Sequence, residues 1–170
     1  MRISITGTPG TGKTSVSRRV SDRLDLDYVS VNELARDRGC IKDMDEERDT
    51  EIVDIDCLKQ QASECKDCVF DGHLSHFLDS DHVFVLRCEP EKLRERLAGK
   101  GWKESKVQEN VDAEVIGVID SESRKENDNV YSVDTSERSV EEVVDIVEGA
   151  VKGKLQKDEI QDEIDWMDEW

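Results

Sequence analysis

Arg2-Ile3-Ser4-Ile5-Thr6-Gly7-Thr8-Pro9-Gly10-Thr11-Gly12-Lys13-Thr14-Ser15 decides the fold. It opens as a short apolar strand, breaks at Gly7, and passes through a glycine-rich turn into a helical pattern at Lys13-Thr14. Gly7, four residues, then Gly12-Lys13-Thr14 is the spacing of a phosphate loop. Gly10 and Gly12 lack a Cβ, so backbone N–H groups can close on phosphate oxygens. The helix beginning near Lys13 aims its positive dipole end at the same anion. Gly10, Thr11, Gly12, Lys13, Thr14 and Ser15 are therefore expected to hold ATP. Lys13 supplies a charge for the β- and γ-phosphates, and the Thr14 hydroxyl is a ligand for Mg²⁺. A glycine turn that binds nothing is the bland alternative, and the strand-to-helix context argues against it.

Outward from that stretch, Val16, Val20 and Leu24 recur every fourth residue and predict one helix face. Tyr28 to Val31 alternates like a strand, and a helix through Leu34, Ala35 and Arg36 ends at Gly39. Ile41 to Glu51 is acidic and reads as a mobile surface segment. Ile52 to Cys65 predicts a helix, and Cys68 to Asp71 and His82 to Leu86 predict buried strands. Pro90 suits the first turn of a helix carrying Leu93 and Leu97. Gly99-Lys100-Gly101 ends that helix. Val107, Val111, Val115 and Ile119 predict one long helix after it. Asn129 to Asp134 is the last strand. Ser139 with Glu142 fits a capping box on the helix that runs to Val151. Five strands alternating with helices predict an α/β fold, a five-stranded parallel sheet covered on both faces. Ligand is then expected at the carboxyl edge, where the phosphate loop lies.

A triphosphate site needs a carboxylate opposite the loop to hold Mg²⁺, usually through water. Asp71 ends an apolar strand at that edge, although Asp71-Gly72 is also a common turn pair. His73, two residues on, could orient water or relay a proton. His73 and His76 lack a third ligand for a metal site of their own. Lys13, Asp71 and His73 are thus the catalytic candidates, and Thr14 and Asp71 the metal candidates. Cations on the transferring group could come from Arg36, Arg94, Arg96 or Lys100, with solvent-exposed ion pairing the alternative for each. Glycines flanking Lys100 suit a hinged lid.

The 170 residues carry a formal charge of −18, with 24 basic side chains against 42 acidic. Such a balance argues against a strong nucleic-acid footprint. It fits either a basic protein partner or a salt-rich cytosol in which acidic surface maintains solubility. No stretch approaches the ~18 apolar residues of a membrane span. The chain enters the phosphate loop at once, which leaves no room for a cleaved signal, so a cytoplasmic location is expected. Cys40, Cys57, Cys65, Cys68 and Cys88 are then expected to be free thiols, and the Cys65/Cys68 pair to be packing residues. Residues 153–170 read as an acidic tail, as a terminal helix extension with Ile160, Ile164 and Met167 (and Trp166 with Trp170) at helical spacing, or as a docking segment for a basic partner.

The chain resembles the adenylate kinases of the isoenzyme-six type, archaeal and eukaryotic proteins that also serve in ribosome assembly. The matching stretches are Ile5 to Thr14, Tyr28 with Val31 and Leu34-Ala35-Arg36, Asp45-Glu46-Glu47, Asp71 with His73, Val83 to Arg87, Glu95-Arg96-Leu97, Gly101, and the pair Asn110 and Glu114. The resemblance implies a nucleoside-monophosphate-kinase fold over residues 1–152, with strand order 2-3-1-4-5. It implies a monophosphate-binding segment near 28–51, in which Arg36 orients AMP, and a short lid near 99–109, in which Lys100 reaches ATP. It implies phosphoryl transfer from ATP to AMP with Mg²⁺, ATP hydrolysis, and a role in late small-subunit maturation (16S rRNA processing) through the basic platform protein of universal family eleven. Two positions depart from the family pattern. Lys100 stands where a lid arginine is typical, which keeps the charge and loses the bidentate fork. Gly72 stands where a bulky residue is common, which should loosen the loop. An assembly factor driven mainly by ATP hydrolysis is the alternative, and a small-metabolite kinase such as a shikimate kinase is the weaker one.

Overall fold

The computed structural model describes residues 1–46, 50–162 and 164–167. Glu47 of the acidic triplet and Trp170 of the tail lie outside them. Among the described residues there are seven strands: β1 (Arg2–Gly7), β2 (Asp27–Ser30), β3 (Ile41–Asp45), β4 (Thr50–Val53), β5 (Cys68–Asp71), β6 (His82–Arg87) and β7 (Val130–Asp134). Five of them form a parallel sheet in the order β2-β5-β1-β6-β7. This numbering departs from the expected 2-3-1-4-5 only because β3 and β4 intervene in the chain. Those two pair antiparallel as a separate hairpin. Residues Ile41–Asp45 and Thr50–Val53 are thus paired strands where 41–51 was expected to be a mobile surface segment. Its apolar residues are too few to show a strand period.

The sheet is central because its strands alternate between two covered faces. Ile3, Ile5, Val69 and Phe84 join a core with Val16 and Val20 of α1 (Lys13–Leu24) and Val143, Val144 and Val147 of α7 (Val140–Val151). On the opposite face Phe70 packs with Val31 and Ala35 of α2 (Val31–Asp37) and Leu58 of α3 (Ile55–Ala62). There Ser4 and Thr6 of β1 bond to Ser75 and His76 of a 3₁₀ turn, Ser75–Phe77. Leu93 and Leu97 of α4 (Pro90–Ala98) meet Val107 and Val111 of α5 (Glu104–Val115) in a separate cluster. The expected long helix is broken. Gly117 adopts φ +63° between α5 and α6 (Val118–Glu126), and a Cβ there would meet the Arg87 guanidinium at 3.4 Å.

Two other expectations change. Cys40 and Cys57 form a disulfide, while Cys65, Cys68 and Cys88 are free among the described residues. The hairpin brings the two together: its base is closed by Asp54 N–H donating to the Cys40 carbonyl at 2.8 Å. Gly72 is needed for contact rather than looseness, since a Cβ there would approach Val31 Cβ to 2.9 Å. Among the described residues of the tail, helical structure is limited to α8 (Lys157–Ile160). Ile160 is buried in the first core, Asp162 N–H donates to Ser132 O at 3.0 Å, and Asp162 pairs with Arg138, so this part of the tail lies along β7. Met167 is exposed. No helix among the described residues is long and apolar enough to cross a membrane.

Candidate active site

β1 ends at the sheet's carboxyl edge, and the chain turns there through residues with glycine-only geometry. Gly10 and Gly12 both adopt φ +96°. A Cβ on Gly12 would meet nothing within 4 Å. Its space is open toward the cleft, as a backbone cradle for an anion requires. Thr11 is buried and its hydroxyl donates to Thr8 O at 2.9 Å, which braces the loop from inside. α1 starts at Lys13 with no acidic side chain in its first turn. Its positive end is therefore uncompensated by the helix itself.

Lys13 Nζ donates to Thr8 O at 3.0 Å. Burial draws its ammonium down to about 8, with Asp71 opposing the shift and Lys100 adding to it. Asp71, at the end of β5, is 6% exposed. Its Oδ2 accepts from Thr14 Oγ1 at 2.8 Å and from Tyr28 Oη at 2.7 Å. Its Oδ1 is buried with no protein hydrogen bond. An orphaned carboxylate oxygen beside a threonine hydroxyl is a hard-oxygen donor set that suits hydrated Mg²⁺. The residues present therefore fit the ion that a triphosphate would bring. His73 lines the same cleft, and burial first, then Lys13, lowers its imidazole to about 4, so it is neutral at pH 7.

These groups open on a cleft of about 1190 Å³, larger than the ~300–1,000 Å³ typical of single small-ligand pockets. On the hairpin side it is lined by Ser30, Arg36, Met44 and Glu51, and on the side of α4 and its connection to α5 by Arg96, Lys100 and Trp102. Arg36 Nε donates to both Glu51 oxygens, at 2.8 and 2.9 Å. Lys100 lies over the Trp102 ring at 5.2 Å. Ser15 is exposed to the cleft. Arg96 also reaches the cleft while donating to Thr135 O at 3.0 Å. Arg94 is not brought there; it pairs with Glu104 at 2.8 Å.

Sequence reasoning assigned no role to three groups. Tyr28 holds Asp71, and the Arg18 guanidinium lies 4.7 Å over the Tyr28 ring. Arg18, four residues after Thr14, shares its helix face, and that spacing was an available signal. Glu114, in the last turn of α5, is 2% exposed. It accepts from Thr8 Oγ1 at 2.6 Å, Arg87 Nε at 2.6 Å and Cys88 N at 3.0 Å. No local pattern marks a glutamate in the last turn of a helix as the anchor of a loop 106 residues away.

The profile of the AAA domain family matches residues 3–117, more than half of the chain. A protein of Methanocaldococcus jannaschii named "Putative adenylate kinase" is 37% identical, the match covering all of this chain and 95% of that protein. One of the same name from Archaeoglobus fulgidus is 42% identical over 99% of this chain and 93% of its own length. The chain belongs to this adenylate kinase family. Among solved structures, shikimate kinase of Acinetobacter baumannii superposes with a TM-score of 0.66 over 91% of this chain and 95% of that one. At 17% identity that likeness shows the fold alone. The family's P-loop kinase fold thus frames the cleft, with the glycine-rich loop on one wall and the hairpin on the other.

Proposed function

We propose that this member of the adenylate kinase family transfers the γ-phosphoryl group of ATP to AMP, a nucleoside monophosphate kinase with ATPase activity. The observation that carries the reading is the Thr14–Asp71 contact at the phosphate loop, facing Arg36 across one cleft. In this reading ATP lies on Gly10 to Ser15, and AMP lies against segment 28–51, oriented by Arg36 once it leaves Glu51. A phosphate oxygen of AMP forms the new bond to the γ-phosphorus. The bond to the β,γ-bridging oxygen breaks, and two ADP result. Thr14 and Asp71 would hold Mg²⁺, which when bound neutralises charge on the phosphates. Lys13 and the loop amides bind and orient the β- and γ-phosphates, and Lys100 on segment 99–109 adds charge as that segment closes. Neutral His73 can hold a water for hydrolysis.

The charge of −18 favours a second, compatible role. Hydrolysis would drive release of a basic platform protein during small-subunit maturation, with acidic surface, including residues 153–170, steering the partner. A coupled assay over the common monophosphates, with and without that partner, tests both. ADP formed in AMP-dependent amounts supports the kinase. Free phosphate without AMP, raised by the partner, supports the assembly role. Turnover indifferent to every monophosphate but dependent on a small metabolite would overturn the kinase reading. Lys13→Ala should abolish both activities with the fold intact.

A further inference from the structure

Asp71 is held by a residue from the neighbouring strand. β2 pairs with β5 so that Tyr28 sits opposite Val69. Side chains two apart on a strand share a face, so Tyr28 lies diagonal to Asp71 on that face. The diagonal is long, and an aromatic side chain spans it: the hydroxyl arrives at Asp71 Oδ2 at 2.7 Å. Of the two donors on Oδ2, Thr14 is the one a metal ion would claim. Tyr28 is then the side chain left to fix the carboxylate, whose Oδ1 is buried and has no protein hydrogen bond. Arg18, stacked on the ring from α1, limits its movement. Because Tyr28 itself lines the cleft, near Ser30 and Arg36, the bond joins the hairpin side to the loop side.

We propose that Tyr28 is a positioning residue for the metal-binding carboxylate: its hydroxyl sets the Asp71 orientation on which Mg²⁺–ATP binding and transfer depend. The inference rests on the kinase reading above and adds a residue that acts through Asp71 rather than on substrate.

Tyr28→Phe tests it, since the ring and its Arg18 contact are kept. Mn²⁺ titrated by electron paramagnetic resonance into the protein–ATP complex is the readout independent of turnover. Loss of a hydrogen bond to a charged group predicts Mn²⁺ binding weakened about 10-fold or more. The kcat should fall by a similar factor while KM for AMP stays within about twofold. In an Asp71→Asn background the same change should add little, because the carboxylate it orients is gone. That cycle remains informative if either single variant is less stable. Wild-type values of Mn²⁺ affinity and kcat in Tyr28→Phe would overturn the inference. So would a change confined to KM for AMP, or effects that multiply independently with Asp71→Asn. A wild-type protein that takes up no Mn²⁺–ATP would instead remove the kinase reading and this inference with it.

Discussion

Glu114→Ala should be among the most damaging single changes in the protein. The carboxylate is 2% exposed and Arg87 4% exposed, so both charges are out of water. They meet at 2.6 Å, and Arg87 also donates to the Glu114 carbonyl at 2.7 Å. Removing the carboxylate leaves a guanidinium buried without its counter-charge, which costs about 3–5 kcal/mol. Cys88 N–H loses its acceptor as well, adding on the order of 1 kcal/mol. Against a total stability of about 5–15 kcal/mol, that loss leaves a marginal fold. The buried pair is not itself a large source of stability. Replacing both partners by apolar groups, as in Arg87→Met with Glu114→Leu, should recover most of the loss. The Thr8 hydroxyl would stay untethered in either variant, so the double variant should fold yet bind ATP more weakly than wild type. Urea unfolding followed by circular dichroism measures the first effect, and calorimetric titration with a non-hydrolysable ATP analogue the second. The reasoning fails if Glu114→Ala costs less than about 1 kcal/mol, or if the double variant is as unstable as the single losses combined.

Three further outcomes are expected. Burial lowers the His76 imidazole to about 4, although Glu126 opposes the shift; because the folded pKa lies below the unfolded value, stability is present above about 6.5 and is lost as pH falls toward 4. At about 1.4 kcal/mol per unit the loss is roughly 3 kcal/mol, and His76→Gln should flatten that part of a urea–pH series. Reducing the Cys40–Cys57 disulfide, which spans a sequence separation of 17, should lower stability by about 3 kcal/mol, read as a fall in Tm with added dithiothreitol that a Cys40→Ser, Cys57→Ser double variant does not show. Ile160→Ala should cost about 2–5 kcal/mol and increase amide exchange in β7, because that side chain anchors the tail to the core; unchanged exchange would count against the tail's place along the strand.

Much of the fold was legible because it is encoded locally. The Gly7-to-Thr14 spacing specifies a strand, a loop and a helix start within one window. Ser139 and Glu142 do form the capping box their spacing predicts. Asp71 could be placed because the end of a parallel strand defines which edge it occupies. The hairpin was hidden, since Ile41 to Glu51 is too acidic to show a two-residue apolar period. Gly117 was hidden because the valine pattern runs across it, and only the Arg87 guanidinium packed beside it gives its positive φ a context.

From residues 2–15 and the strand–helix rhythm alone came the sheet, the position of the phosphate loop and the carboxylate facing it, because each depends on neighbours in sequence. Tertiary structure alone decided that Arg96 enters the cleft while Arg94 turns to Glu104, that Cys40 meets Cys57, and that Tyr28 and Glu114 hold Asp71 and Thr8. Those choices depend on which side chains converge after the chain has crossed the sheet several times. Spacing along the chain carries no record of such distances.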